Sequence, residues 1–227
     1  MQLIELEDVA YAYSGNRLLQ GVNLHIRPGS FHFLTGPSGA GKTTFLRLLY
    51  MELMPTSGTL RLFGKDAAAL DRDAIARVRR RIGVVHQDCD FLDHLSVAEN
   101  IALPLSVAGT PSPAAEEDLA ELIAWVGLGE RARARPPELS GGERQRAALA
   151  RAVITAPDLI LADEPTGNVD WDMSLRLLTL LIELNRMGRA VILATHDLNL
   201  IRAAKAQVAA RVLRIRDRHI EPAGAEL

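Results

Sequence analysis

The chain has 227 residues in which Lys and Arg (26) nearly balance Asp and Glu (28), leaving a formal charge of −2: enough length for one large α/β domain but not two separate ones, and no charge excess to make a general nucleic-acid binder. A single cysteine, Cys89, excludes an intramolecular disulfide and fits a reducing compartment. No run approaches the ~20 apolar residues that span a bilayer, and Met1 to Glu5 lacks the flank and core of a signal peptide, so a soluble chain that reaches a membrane only through a partner is expected.

Leu3 to Val9, Val22 to Ile26 and Thr59 to Phe63 are short β-type runs separated by Gly and Pro turns, which predicts a small, mostly antiparallel sheet at the amino end. Phe31 to Thr35 differs in being apolar on both faces, as buried parallel strands are. It runs directly into Gly36-Pro37-Ser38-Gly39-Ala40-Gly41-Lys42-Thr43, followed by a helix from Thr44 through Leu49. Gly, four residues, then Gly-Lys-Thr is a phosphate cradle: the glycines let backbone N–H groups turn toward an anion, and the helix adds its positive end. Lys42 would reach the β and γ phosphates and the Thr43 hydroxyl would bind Mg²⁺.

Arg77, Arg79, Arg80 and Arg81 read as a solvated helix face rather than a nucleic-acid patch, and Ile82 to His86 as the next buried strand. From Asp88 to Pro157 the pattern changes to helices and loops broken at Pro104, Pro111, Pro113, Pro136 and Pro137. The expected organisation is one domain over 1–227, with a nucleotide-binding core at 1–87 and 158–227 and a helical subdomain at 88–157. Ser140-Gly141-Gly142-Glu143 has capping-box spacing and opens a helix through Ala147, Leu149 and Val153, its bare glycines leaving the first N–H groups open to an anion.

Leu159 to Asp163 is a buried strand that ends in two acids. Asp163 would meet the Mg²⁺ through a water, because that ion dehydrates reluctantly, while the Glu164 side chain would accept a proton from an attacking water. Ser174 to Met187 predicts an amphipathic helix stopped by Gly188, and Ala190 to Thr195 a last buried strand. Arg211 to Ile220 alternates like a hairpin whose turn, Asp217-Arg218, lacks the usual glycine. Two phosphate-binding helix ends in one chain exceed what one γ-phosphate can use within a subunit. A two-fold dimer resolves this, each ATP lying between one chain's glycine-rich loop and the other chain's Ser140 helix.

This set resembles the ATP-binding cassette family of transport ATPases: Gly36 to Thr43 as Walker A, Gln87 as the Q-loop, Leu139 to Gln145 as the signature, Leu159 to Glu164 as Walker B, Gly167 to Asp170 as the D-loop and His196 as the switch histidine. The resemblance implies an α/β P-loop fold, ATP hydrolysis with Mg²⁺, and a homodimer closed by ATP. It also implies that Tyr13 stacks on adenine, Gln87 touches Mg²⁺, His196 bonds the γ-phosphate, and Ser140, Gly141, Gly142 and Glu143 complete the opposite site. Tyr13 also reads as a core aromatic of the small sheet. Glu99 to Leu105, Leu161 to Asn168 and Ala194 to Ile201 resemble the family's cell-division branch, which implies an integral membrane partner at the cytoplasmic face and control of cell-wall hydrolysis. A lipoprotein-release or peptide-efflux branch shares the same chemistry. The segment departs from the family at His86 and at Tyr50 to Met54. A groove over 87–105, with Phe91, Leu92, Leu95 and Val97, would receive the partner or simply form the subdomain core.

Overall fold

The computed structural model describes residues 2–109, 113–167 and 169–223; Met1, Pro111 and Asn168 lie outside them. Along these residues the chain forms β1 (Ile4–Tyr13), β2 (Asn16–Ile26), β3 (Phe31–Thr35), α1 (Lys42–Leu49), β4 (Ser57–Leu62), β5 (Lys65–Asp66), α2 (Arg72–Arg79) and β6 (Ile82–Val85). Then come α3 (Val97–Ala108), α4 (Pro113–Trp125) and α5 (Gly141–Val153). The remainder is β7 (Leu159–Asp163), α6 (Trp171–Arg186), β8 (Ala190–Ala194), α7 (Leu198–Lys205), β9 (Ala210–Arg216) and β10 (His219–Pro222).

Two sheets carry the fold. The first is antiparallel, in the order β2-β1-β4-β5. Its first two strands are longer than expected, because register shifts between Leu6 and Val9 and between Val9 and Tyr11 break the strict alternation that marks a strand. The second runs β10-β9-β3-β8-β7-β6 and is parallel except for its last hairpin. Every residue of β3, β7 and β8 is buried, as two-sided apolar runs require. Leu34, Leu159, Leu161 and Ile192 pack toward α1 and the antiparallel sheet, whereas Phe31, Phe33, Ile160, Val191 and Leu193 pack toward α5, α6 and α7. A fully buried phenylalanine such as Phe33 or Phe45 contributes roughly 1.5–3 kcal/mol.

Helix starts follow side-chain caps: Ser96 for α3, Ser140 for α5, Asp170 for α6 and Asp197 for α7. The Asp170 cap moves the start of α6 three residues ahead of the expected Ser174. α5 belongs to two cores at once, with Ala148, Leu149, Ala152 and Val153 against the main sheet, and Ala147 and Ala150, joined by Leu139 just ahead of the helix, packed with Val97 and Ile101 of α3 and Ile123 of α4. The β9–β10 turn has Asp217 and Arg218 both at positive φ (49° and 70°), so the primed turn forms without glycine. The carboxyl ends of β3, β7 and β8 open on one crevice, the usual ligand position of an open α/β sheet.

Candidate active site

Between β3 and α1 the chain bends through Gly36, Gly39 and Gly41, all at positive φ (155°, 75° and 106°), which wraps the loop around a cleft of about 680 Å³. The Ala40 amide donates to the Pro37 carbonyl at 3.1 Å and closes the loop on itself. Lys42 folds back over it: Nζ donates to the Gly36 carbonyl at 3.0 Å and the Pro37 carbonyl at 3.5 Å, and lies 3.5 Å from Glu164 Oε1. The cation that would meet phosphate oxygens is therefore held by acceptors a phosphate would replace.

β7 delivers the two acids differently. Asp163 is 7% exposed, and burial raises its pKa, opposed by a hydrogen bond from Thr43. Its Oδ1 is buried with no hydrogen-bond partner. A buried, unpartnered carboxylate oxygen beside a hydroxyl is the hard-oxygen donor set that suits Mg²⁺ and its waters. Glu164 takes a left-handed conformation (φ 44°), fixed by its amide donating to the Ala194 carbonyl at 3.0 Å and its carbonyl accepting from the Gly167 amide at 3.1 Å. This turn swings the Glu164 carboxylate into the cleft, where Oε2 lies 3.0 Å from His196 Nδ1. The His196 side chain is 74% exposed at the mouth.

Gln87 lines the cleft as well, and its carbonyl accepts from Gln145 Nε2 of α5 at 3.4 Å. Gly36, Pro37, Ser38, Gly39, Gly41, Lys42, Thr43, Thr44, Gln87, Asp163, Glu164 and His196 thus share one wall. Ala40 and Tyr13 do not: Ala40 serves the loop's own turn, and Tyr13 stands 42% exposed at the end of β1, edge-on to Tyr11 with ring centroids 4.8 Å apart. Leu18 of β2 lines the cleft and was missed; an isolated leucine in an alternating strand carries no signal for it. Gly167 was legible only as part of the D-loop pattern.

Ser140, Gly141, Gly142 and Glu143 lie outside this cleft. The capping box is complete, with the Glu143 amide donating to Ser140 Oγ at 3.3 Å and the Ser140 amide donating to Glu143 Oε2 at 2.8 Å. Bonds to its carboxylate, from the Ser140 amide first and from Ser140 Oγ and Arg131 Nε (3.0 Å) after it, lower the Glu143 pKa. Ser140 and Gly141 are exposed, so this helix end faces outward from its own subunit.

The apolar group at 91–97 divides. Val97 is core at 1% exposure, Phe91 is covered by the Arg151 guanidinium 4.6 Å above its ring, and Leu92 is 45% exposed. A second cleft of about 460 Å³ opens instead beside it, with Tyr50, Arg79, Arg80, His86, Val107 and Arg151 among its walls. The Tyr50 and His86 rings meet edge-on there, 5.8 Å apart.

The ABC transporter family profile matches residues 19–167. The chain is 41% identical over 209 residues to the cell division ATP-binding protein FtsE of Bacillus subtilis (strain 168), covering 92% of each chain. It is also 41% identical over 219 residues to the protein of that name from Escherichia coli (strain K12), covering 96% of this chain and 97% of that one. Among solved structures, the ATP-binding cassette MJ0796, a dimer in a post-hydrolysis state bound to ADP and Pi, superposes with a TM-score of 0.85 at 32% identity over 96% of both chains.

Proposed function

The chain belongs to the ABC transporter family, and from that premise we propose that it is the ATP-hydrolysing subunit of an FtsE-like membrane complex, two copies of which enclose each nucleotide. The observation that carries this reading is the outward-facing Ser140 end of α5, an anion-ready helix start that does not reach its own subunit's cleft. In the closed pair it meets the γ-phosphate held by Lys42 and the loop amides of the other copy.

Glu164 accepts a proton from the attacking water as the water oxygen bonds to the γ-phosphorus, and the bridging oxygen departs with ADP. His196 Nδ1 lies 3.0 Å from the Glu164 carboxylate, and on this reading it fixes that carboxylate and bonds the γ-phosphate. Lys42 follows the charge on the β and γ oxygens, and the loop amides hold it in line. Thr43, Gln87 and Asp163 would hold Mg²⁺, which when bound neutralises charge on the same oxygens. Tyr13, exposed at the end of β1, serves on this reading as the adenine platform.

Among the described residues no helix is long and apolar enough to cross a membrane. On this reading mechanical output passes to an integral partner, a protein resembling FtsX, at the cytoplasmic face. Opening and closing of the pair would then regulate cell-wall hydrolysis in division. The second cleft, beside α3, is the receiving surface on this reading, with His86 linking it to Gln87 in the first. Co-purification of Glu164→Gln from membranes with ATP tests both parts: the expected result is a two-copy assembly with a membrane subunit of the FtsX kind. Recovery of a lipoprotein-release or MacB-type efflux subunit would reassign the output, and a single copy bearing ATP would overturn the sandwich.

A further inference from the structure

α6 begins where the Asp170 carboxylate accepts from the Met173 amide at 2.8 Å and the Asp170 carbonyl accepts from the Ser174 hydroxyl at 2.9 Å. Three positions before this cap in the sequence, the Gly167 amide donates to the Glu164 carbonyl at 3.1 Å. The Met173 side chain then leaves α6 and lies across the first turn of α5. A Cβ built on Gly142 would stand 2.8 Å from Met173 Cε, 2.9 Å from Cγ and 3.1 Å from Sδ. One turn further along α5, Arg146 Nη1 donates to Met173 Sδ at 2.9 Å, while Arg146 Nε is buried with no partner.

Gly142 lies within α5 and is absent from the residues at positive φ, so backbone conformation does not demand a glycine there. The volume of its missing side chain is occupied by the thioether. We propose that Met173 is a positioning residue, a strut that sets the distance between the Asp170 turn and the Ser140 end of α5. Through it, the helix end offered to the second copy's nucleotide is held in step with the first copy's Glu164. The inference rests on the two-copy reading above. A methionine suits the task because its sulfur accepts from a guanidinium while its unbranched chain fills the narrow gap over a glycine.

The test is a cycle on the purified full chain, with ATP turnover measured across ATP concentration and a fluorescent ATP analogue titrated at high dilution. Met173→Ala is expected to lower kcat at least about tenfold, since ångström-scale misplacement of an aligned group costs up to ~100-fold. Affinity for the analogue, set by the loop of one copy, stays at the wild-type value, and Met173→Leu restores most of the rate. Gly142→Ala alone is expected to lose turnover, and the pair Gly142→Ala with Met173→Ala to recover to the level of Met173→Ala, because the clash has been removed. If Met173→Ala melts early, Met173→Val repeats the truncation more gently. Wild-type kcat in both truncations, or a Gly142→Ala loss that persists undiminished without the thioether, overturns the strut and leaves nucleotide clearance as the reason for the glycine. Light scattering of Glu164→Gln with ATP reports the two-copy reading separately: a monomer there sinks that reading, whereas an intact dimer with an additive cycle sinks the strut alone.

Discussion

Replacing Glu164 by glutamine should move binding and turnover in opposite directions. Lys42 Nζ and Glu164 Oε1 are 3.5 Å apart, with side chains only 10% and 13% exposed. At an effective dielectric of ~20 the gross attraction is about 5 kcal/mol, of which desolvation leaves a net on the order of 1–2 kcal/mol. An arriving triphosphate must take Lys42 away from that carboxylate and then place its own negative charge beside it. Glu164→Gln removes both costs while keeping the shape, so ATP should bind about 5- to 30-fold more tightly. Loss of the proton acceptor should cut turnover by at least about 100-fold. Calorimetric titration with ATP and a phosphate-release assay on the same preparation read the two quantities. ATP binding no tighter than wild type would show that the Lys42–Glu164 contact does not compete with phosphate, and turnover within about tenfold would remove Glu164 as the base.

Three further outcomes follow from buried groups. A Cβ on Gly83 of β6 would lie 2.2 Å from the Ala152 carbonyl oxygen of α5, so Gly83→Ala should lower stability by about 1–3 kcal/mol or more, read as a fall in urea midpoint. His32 is 2% exposed on β3, and burial, with Arg211 second, depresses its pKa from 6.5 to about 4. Below pH ~6.5 the unfolded chain takes a proton that the fold refuses, so stability should decline toward pH ~4 by on the order of 3 kcal/mol and then level, a slope that His32→Gln flattens. Asp163 has the opposite sense: its pKa is raised, chiefly by burial, so the ligand-free fold loses stability as pH rises through it. Asp163→Asn should therefore melt higher than wild type at neutral pH without divalent ions, yet fail to turn over ATP.

Much of the site was legible because its chemistry is local in sequence. The Gly36 to Thr43 loop and the Asp163-Glu164 strand end each declare their role by residue type and spacing, and the structure brings them to one cleft. What escaped depended on contacts between distant segments. Leu18 reaches the cleft only because β2 folds across Gly41, whose Cβ would sit 3.2 Å from Leu18 Cγ. Apolar periodicity puts the start of α6 near Ser174, whereas the Asp170 carboxylate caps the helix earlier. The strands of the first hairpin extend beyond their alternating runs because bulges defeat a period-of-two reading. The β9–β10 turn shows the reverse: a missing glycine did not prevent a primed turn, because the paired strands, His219 opposite Arg216 and Ile220 opposite Ile215, hold Asp217 and Arg218 in left-handed geometry.

The neighbours of β3 have a consequence for biosynthesis. Among the described residues, the strand that leads into the Lys42 loop pairs with β8 and β9 alone, whose residues are made more than 150 positions later. While a ribosome is still translating the middle of the message, Phe31, Phe33 and Leu34 have no sheet to join, and the Gly36 wall supplied by Ile215 does not yet exist. Nucleotide capture must await emergence of the β9 segment from the exit tunnel, and long-range pairing of this kind slows folding. During that interval the nascent chain presents a bare apolar strand, which marks it as a client for chaperones that shield such segments.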